Sequence, residues 1–64
     1  MSDNSIFLLP QYSKVRLIKT VDKEQLLDGE RGVIVKVLEE LKAYLVEFSE
    51  NRFVYVMKEW VKPA

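Results

Sequence analysis

Neither cysteine nor histidine occurs in this chain. Without cysteine there is no disulfide and no thiolate metal site. Without histidine, the commonest general base and metal ligand is missing. Glycine and proline are scarce, two of each. Net charge is also absent: ten basic side chains cancel ten acidic ones, so no large basic field drives phosphate binding. The N-terminus carries Asp3 in place of a basic region, and its apolar run Ile6 to Leu9 is too short for a signal peptide or a membrane span. The expected compartment is the cytoplasm, with no membrane partner.

These absences bear on chemistry. An enzyme here would need a carboxylate pair or an activated serine. Ser13 and Ser49 have no candidate base nearby in sequence. Glu47 lies between Val46 and Phe48, and facing inward it would be a functional candidate. The alternative is an outward Glu47 paired across a sheet with Arg52 or Lys36. The expectation is no enzyme, no catalytic residue, no cofactor and no metal.

What is present is a central stretch, Gly32 to Phe48, with two apolar runs. Val33, Ile34, Val35, Val37 and Leu38 form a β-branched-rich run. Ala43, Tyr44, Leu45, Val46 and Phe48 form another, with Glu39, Glu40 and Lys42 between them. Two strands joined by a polar turn is one reading. The turn, however, lacks the Gly, Asn or Asp usual in hairpins. A helix is the other reading, because Ile34, Leu38, Leu41, Leu45 and Phe48 recur at spacings of four and three.

Sixty-four residues make one domain. Met1 to Ser5 is expected to be disordered and residues 6–64 to form the domain. Stability should be modest, and homo-oligomerisation is left open. Pro10 holds Leu9 extended, so Ile6 to Leu9 reads as a short arm over the core or onto another chain. Lys14 to Lys19 alternates, with Val15 and Leu17 on one face, as a half-buried antiparallel strand does. Val21 to Arg31 is the long loop. Asp22 is expected to cap a helical turn with Gln25 at capping-box spacing, Leu26 and Leu27 to tuck inward, and Gly29 to end the turn. Asp22, Glu24, Asp28 and Glu30 make the loop acidic, without calcium-loop spacing. Asn51 is expected at positive φ in a turn. Arg52 to Met57 reads as a strand with Phe53, Tyr55 and Met57 on one face and Val54 and Val56 on the other. Lys58-Glu59 is a short turn and Trp60 to Lys62 a last strand before Pro63.

Five strands with a long first loop and a one-turn link before the last is the plan of an SH3-like barrel. The residues resemble a family of short bacterial SH3-like proteins of unassigned function. The resemblance lies in Val15-Arg16-Leu17, in Gly29-Glu30-Arg31-Gly32-Val33-Ile34-Val35-Lys36-Val37 and in Tyr44-Leu45-Val46-Glu47-Phe48. Arg52 to Met57 and Trp60-Val61 complete it. It covers Tyr12 to Pro63 and extends more remotely to KOW-type barrels. Arg31 and the residues after Asn51 depart from the family's turn pattern. The resemblance implies an all-β, five-stranded SH3-like barrel with a long first loop and a short N-terminal arm. It favours strands over a helix at Gly32 to Phe48. Strict alternation from Lys36 would put Val33, Val35 and Val37 inside, whereas the family's G-x-V pattern puts Ile34 inside; a β-bulge would reconcile them.

The expected function is a non-catalytic protein-binding or accessory module, and the resemblance adds an antitoxin-type partner of a neighbouring protein. The candidate surface is Tyr12, Asp28, Glu30, Tyr55 and Trp60, since amphipathic aromatics favour interfaces. Tyr44, Phe48, Phe53 and Trp60 are the aromatics that would instead fill a barrel. The alternative function is nucleic-acid binding by a KOW- or Sm-like barrel, with Lys14, Arg16, Lys19, Lys36 and Arg52 on one face and Tyr55 stacking on a base.

Overall fold

The computed structural model describes residues 8–49 and 51–64; the expected disorder of residues 1–5, and Ile6 and Phe7 of the arm, lie outside them. The chain is all-β. Five strands, β1 Lys14–Leu17, β2 Arg31–Leu38, β3 Ala43–Ser49, β4 Arg52–Met57 and β5 Val61–Pro63, form one antiparallel sheet in the order β4-β3-β2-β1-β5. The sheet is open: β4 and β5 are its two edges and do not pair with each other. No helix among the described residues is long and apolar enough to cross a membrane.

The helical reading of Gly32 to Phe48 is overturned. Val33 to Val37 resist helix at χ1, and the two runs find each other as β2 and β3. Their turn solves its lack of glycine by placing Lys42 at φ 53. Leu41 N–H donates to the Leu38 carbonyl and Lys42 N–H to that of Glu39. Lys58 N–H holds the Lys42 carbonyl from the end of β4 at 3.0 Å, which keeps the left-handed residue in place. Asn51 takes φ 61, as its short polar side chain allows.

A register shift between Ile34 and Lys36 settles the facing of β2. Ile34 lies opposite Val46 and Lys36 opposite Leu45, so two steps on β2 meet one on β3. Val35 is the extra residue of a β-bulge. Ile34 is therefore fully buried, and Val37 falls back inward opposite Tyr44. Val33, Val35 and Val37 are half-buried, not a buried row. The same register puts Glu47 opposite Val33 and Phe53, on the outer face. Its carboxylate accepts the Asn51 N–H at 3.3 Å and forms no ion pair with Arg52 or Lys36. The premise of an inward carboxylate is thereby removed.

The core gathers on one face of the sheet. Val15 and Leu17 of β1, Ile34 of β2, Tyr44 and Val46 of β3, Val54 and Val56 of β4 and Val61 of β5 are buried together with Leu26 of the long loop. Leu26 reaches the core because Val21 and Leu26 exchange backbone hydrogen bonds at 2.9 and 3.1 Å, pinching the loop shut. Within it, Asp22–Glu24 is one 3-10 turn. Asp22 does not cap it; Val21 precedes it without a side-chain bond, and Gln25 closes it at φ 58. Gly29, at φ 97, serves a second turn in which Glu30 N–H donates to the Leu27 carbonyl. That turn directs Leu27 outward, where it is exposed, contrary to the inward expectation.

The interior aromatics divide. Tyr44 is 2% exposed, and Phe48 and Trp60 pack against the core half-buried. Phe53 stands outside, because the period-two alternation of β4 gives Val54 and Val56 the inner face. Trp60 ends a 3-10 turn, Lys58–Trp60, and β5 starts one residue later at Val61. The arm is seated at Leu8 and Leu9, which pack against the core. The Tyr44 hydroxyl accepts the Leu9 N–H at 2.9 Å.

Two predictions follow from this packing. A Cβ at Gly32 would lie 2.6 Å from Val46 Cγ1 and 2.8 Å from the Glu47 carbonyl oxygen, and backbone cannot step aside as a side chain can. Gly32→Ala should lower unfolding free energy by about 2 kcal/mol in urea titration; an unchanged midpoint would show that β2 does not need this approach to β3. Tyr44→Phe keeps the ring but strands the Leu9 N–H. It should cost about 1 kcal/mol and speed amide exchange at Leu9; exchange equal to wild type would mean that the hydroxyl does not hold the arm.

Candidate functional site

Register pairs share a face, so the strand pairing maps the outer side of the sheet row by row. One row is Leu38, Ala43 and Met57; the next is Lys36, Leu45 and Tyr55. A third is Lys14, Val33, Glu47 and Phe53, and a fourth is Lys62, Arg16 and Arg31. The face is thus divided. Its β3–β4 side is apolar and aromatic apart from Glu47, and its β5–β1–β2 side is basic.

The apolar side deepens into a groove of about 510 Å³ lined by Leu38, Leu41, Ala43, Tyr55 and Met57. Leu41 is 65% and Tyr55 64% exposed. Leu41 arrives from the β2–β3 turn, where apolar residues are unusual because turns face water. Tyr55 and Met57 arrive from β4, whose outward positions Phe53, Tyr55 and Met57 have no layer over them among the described residues. As β4 is an edge strand, alternate backbone groups along it are free of sheet partners.

The sequence candidates are only partly brought together. Asp28, Glu30 and Trp60 gather at the C-terminal end of β1. Gly29 N–H donates to the Leu17 carbonyl, Leu17 N–H to that of Glu30 and Ile18 N–H to that of Trp60. Glu30 is turned inward on its own loop, its carboxylate accepting the Leu27 N–H at 3.1 Å, and the Asp28 N–H donates to the Thr20 hydroxyl at 3.3 Å. Lys19 Nζ sits 4.9 Å from the centre of the Trp60 ring, a cation–π contact that covers one face of the indole. Tyr12 lies at the opposite end of β1, about 20 Å of extended chain away, where its N–H donates to the Ile34 carbonyl. Tyr55 stands apart from all four, on β4. Among the described residues no group of three acidic side chains is placed to hold a metal ion.

The cations of the alternative reading also separate. Lys14 and Arg16 remain together on β1, while Lys19 is engaged with Trp60. Arg52 is a brace: its guanidinium donates to the carbonyls of Glu24 and Gln25, tying the start of β4 to the long loop. Lys36 stands across from Leu45, which separates it from Tyr55 on β4. What the sequence reading missed was Leu38, Leu41 and Met57, and the pairing of Arg16 with Arg31 and Lys62. Leu41 inside a charged turn was the legible signal for the groove. The cation row had none, since it depends on register.

Comparison with family models, with curated proteins and with solved structures finds no match. The geometry alone therefore carries the functional reading.

Because Arg52 bonds to two loop carbonyls, Arg52→Ala should destabilise the chain by about 1 kcal/mol, discounted for its exposure. Amide exchange should rise across Val21–Leu26 while the strand amides keep their order of protection. Unaltered loop protection would show that the pinch between Val21 and Leu26 holds the loop by itself.

Proposed function

We propose that the chain is a small, non-catalytic binding module that docks a protein partner along β4. The partner supplies an extended segment with alternating apolar side chains. Its backbone pairs with the open edge of β4, and its apolar side chains enter the groove between Leu41, Tyr55 and Met57. The observation that carries this reading is an exposed aromatic-aliphatic groove placed beside a free strand edge. Apolar groups left in water beside unpaired backbone are costly features for a 64-residue chain to keep uncovered.

The architecture supports an SH3-like barrel as its fold type. The order β4-β3-β2-β1-β5, the long β1–β2 loop and the single 3-10 turn before β5 follow that plan, with the seam between β4 and β5 left open. The candidate surface then moves. Tyr55 stays in it, while Trp60, half-buried under Lys19, is a supporting residue of the β5 end. The family resemblance adds an accessory role beside the product of an adjoining gene, in the cytoplasm.

The test is an NMR titration with a short peptide of alternating valine and threonine, alongside light scattering of the protein alone. Amide shifts confined to Arg52–Met57 and Leu41, abolished in Tyr55→Lys/Met57→Lys, are the expected result; the double substitution should weaken binding at least tenfold. Concentration-dependent dimers that the same substitutions dissolve would assign the groove to a second copy instead. A monomer whose β4 amides ignore the peptide would sink strand addition at this edge.

A further inference from the structure

Arg16 lies directly opposite Arg31 on one side and Lys62 on the other. Three cations therefore form one row across β2, β1 and β5, about 10 Å from end to end. Lys14 stands two residues from Arg16 on the same face. Like charges directly opposite each other destabilise a sheet, so the row is a cost to the isolated fold. No acidic residue occupies β1, β2 or β5. The nearest in sequence, Glu30, directs its carboxylate to the Leu27 N–H. Among the described residues the one ion pair is Lys58–Glu59, elsewhere in the chain. Glu47 shares the outer face across Val33 from Lys14, with its carboxylate on the Asn51 N–H, so the net neutrality of the composition conceals a basic row on β2, β1 and β5.

A second observation lies at the end of this face. Tyr12 has φ 71 and is 70% exposed. It stands in a turn closed by Ser13 N–H on the Pro10 carbonyl, at the position where Gly or Asn is usual. A bulky residue held there is strained, and the strain serves no burial. It places an aromatic ring in solvent two residues before Lys14.

We propose that the β2–β1–β5 face, with Tyr12 at its end, binds single-stranded nucleic acid: Arg31, Arg16, Lys62 and Lys14 take the phosphates and Tyr12 stacks on a base. Cations that follow a backbone together with an exposed ring that accepts any base are the two elements such binding needs. A phosphate chain is the complement of the row in charge, and arginine's planar fork suits phosphate oxygens. An unstacked base is available only in a single strand. The site is separate from the groove at β4 and does not depend on it.

The test measures fluorescence anisotropy of labelled oligo-dT and oligo-U of about twelve nucleotides, from about 50 to 200 mM salt. Three or four phosphate contacts predict a slope of log K on log salt of about −2 to −3. Arg16→Gln/Arg31→Gln should weaken binding at least tenfold at low salt and make the slope shallower by about 1.4. The double variant relieves like-charge repulsion, so it should melt no lower than wild type, which separates lost contacts from lost fold. Tyr12→Ala should weaken binding about tenfold with the slope unchanged. Absence of saturable binding at low salt, or binding indifferent to the arginine substitutions, overturns the proposal. So does polyglutamate competing as well as oligo-dT with no effect of Tyr12→Ala, which would assign the face to an acidic protein.

Discussion

Among the described residues the sheet has one buried face and no second layer of sheet or helix to lay over it. Every other feature depends on that constraint. A five-stranded antiparallel sheet removes such a face from water by twisting and bending and by drawing loop and arm residues over it. The bending has to be built locally, and the irregularities of register lie in β2 and at the end of β3. Gly32 lets β2 approach the backbone of β3 where any side chain would meet the Glu47 carbonyl. Three residues later Val35 bulges, adding twist and bringing Ile34 and then Val37 to the interior. What bending leaves uncovered is closed by single residues from outside the sheet: Leu26 from the pinched loop and Leu8 and Leu9 from the arm.

Much of this is legible in the sequence. The alternation of Val15 and Leu17, and of Val54 and Val56 against Phe53, Tyr55 and Met57, reads directly as inside and outside. The positive φ of Asn51 follows from its side chain. Misreadings cluster where a neighbour in space decides. Leu27 looks like a core residue until a turn at Gly29 points it away. Lys42 does not look like a left-handed residue, and it becomes one because Lys58 holds its carbonyl. The facing of β2 was undecidable from either rule of alternation alone, since a bulge makes each correct on one side of Val35.

The candidate site was legible to a lesser degree, for the same reason. Tyr55 was visible as a surface aromatic, but its companions Leu38, Leu41 and Met57 are drawn from three segments that meet only after the hairpins form. The basic face was invisible to composition, because summing charges over a chain erases their arrangement. Arg16, Arg31 and Lys62 are separated by long stretches of sequence and become neighbours by register. Arg52 showed the opposite error, a cation that reads as available and is spent on the loop.

The pairing of β1 has a consequence for how the molecule comes into being. β1 is an inner strand, and one of its two partners is β5: Leu17 meets Val61, Arg16 meets Lys62, and the Ala64 N–H reaches back to the Lys14 carbonyl. Strands β2, β3 and β4 can zip together as successive hairpins, because their contacts are local and their loops short to close. Strand β1 completes its pairing only with β5. Until Val61–Pro63 pairs with it, one edge of β1 remains open. The largest loop-closure entropy in the sheet therefore falls on the ladder that joins its two most distant strands in sequence.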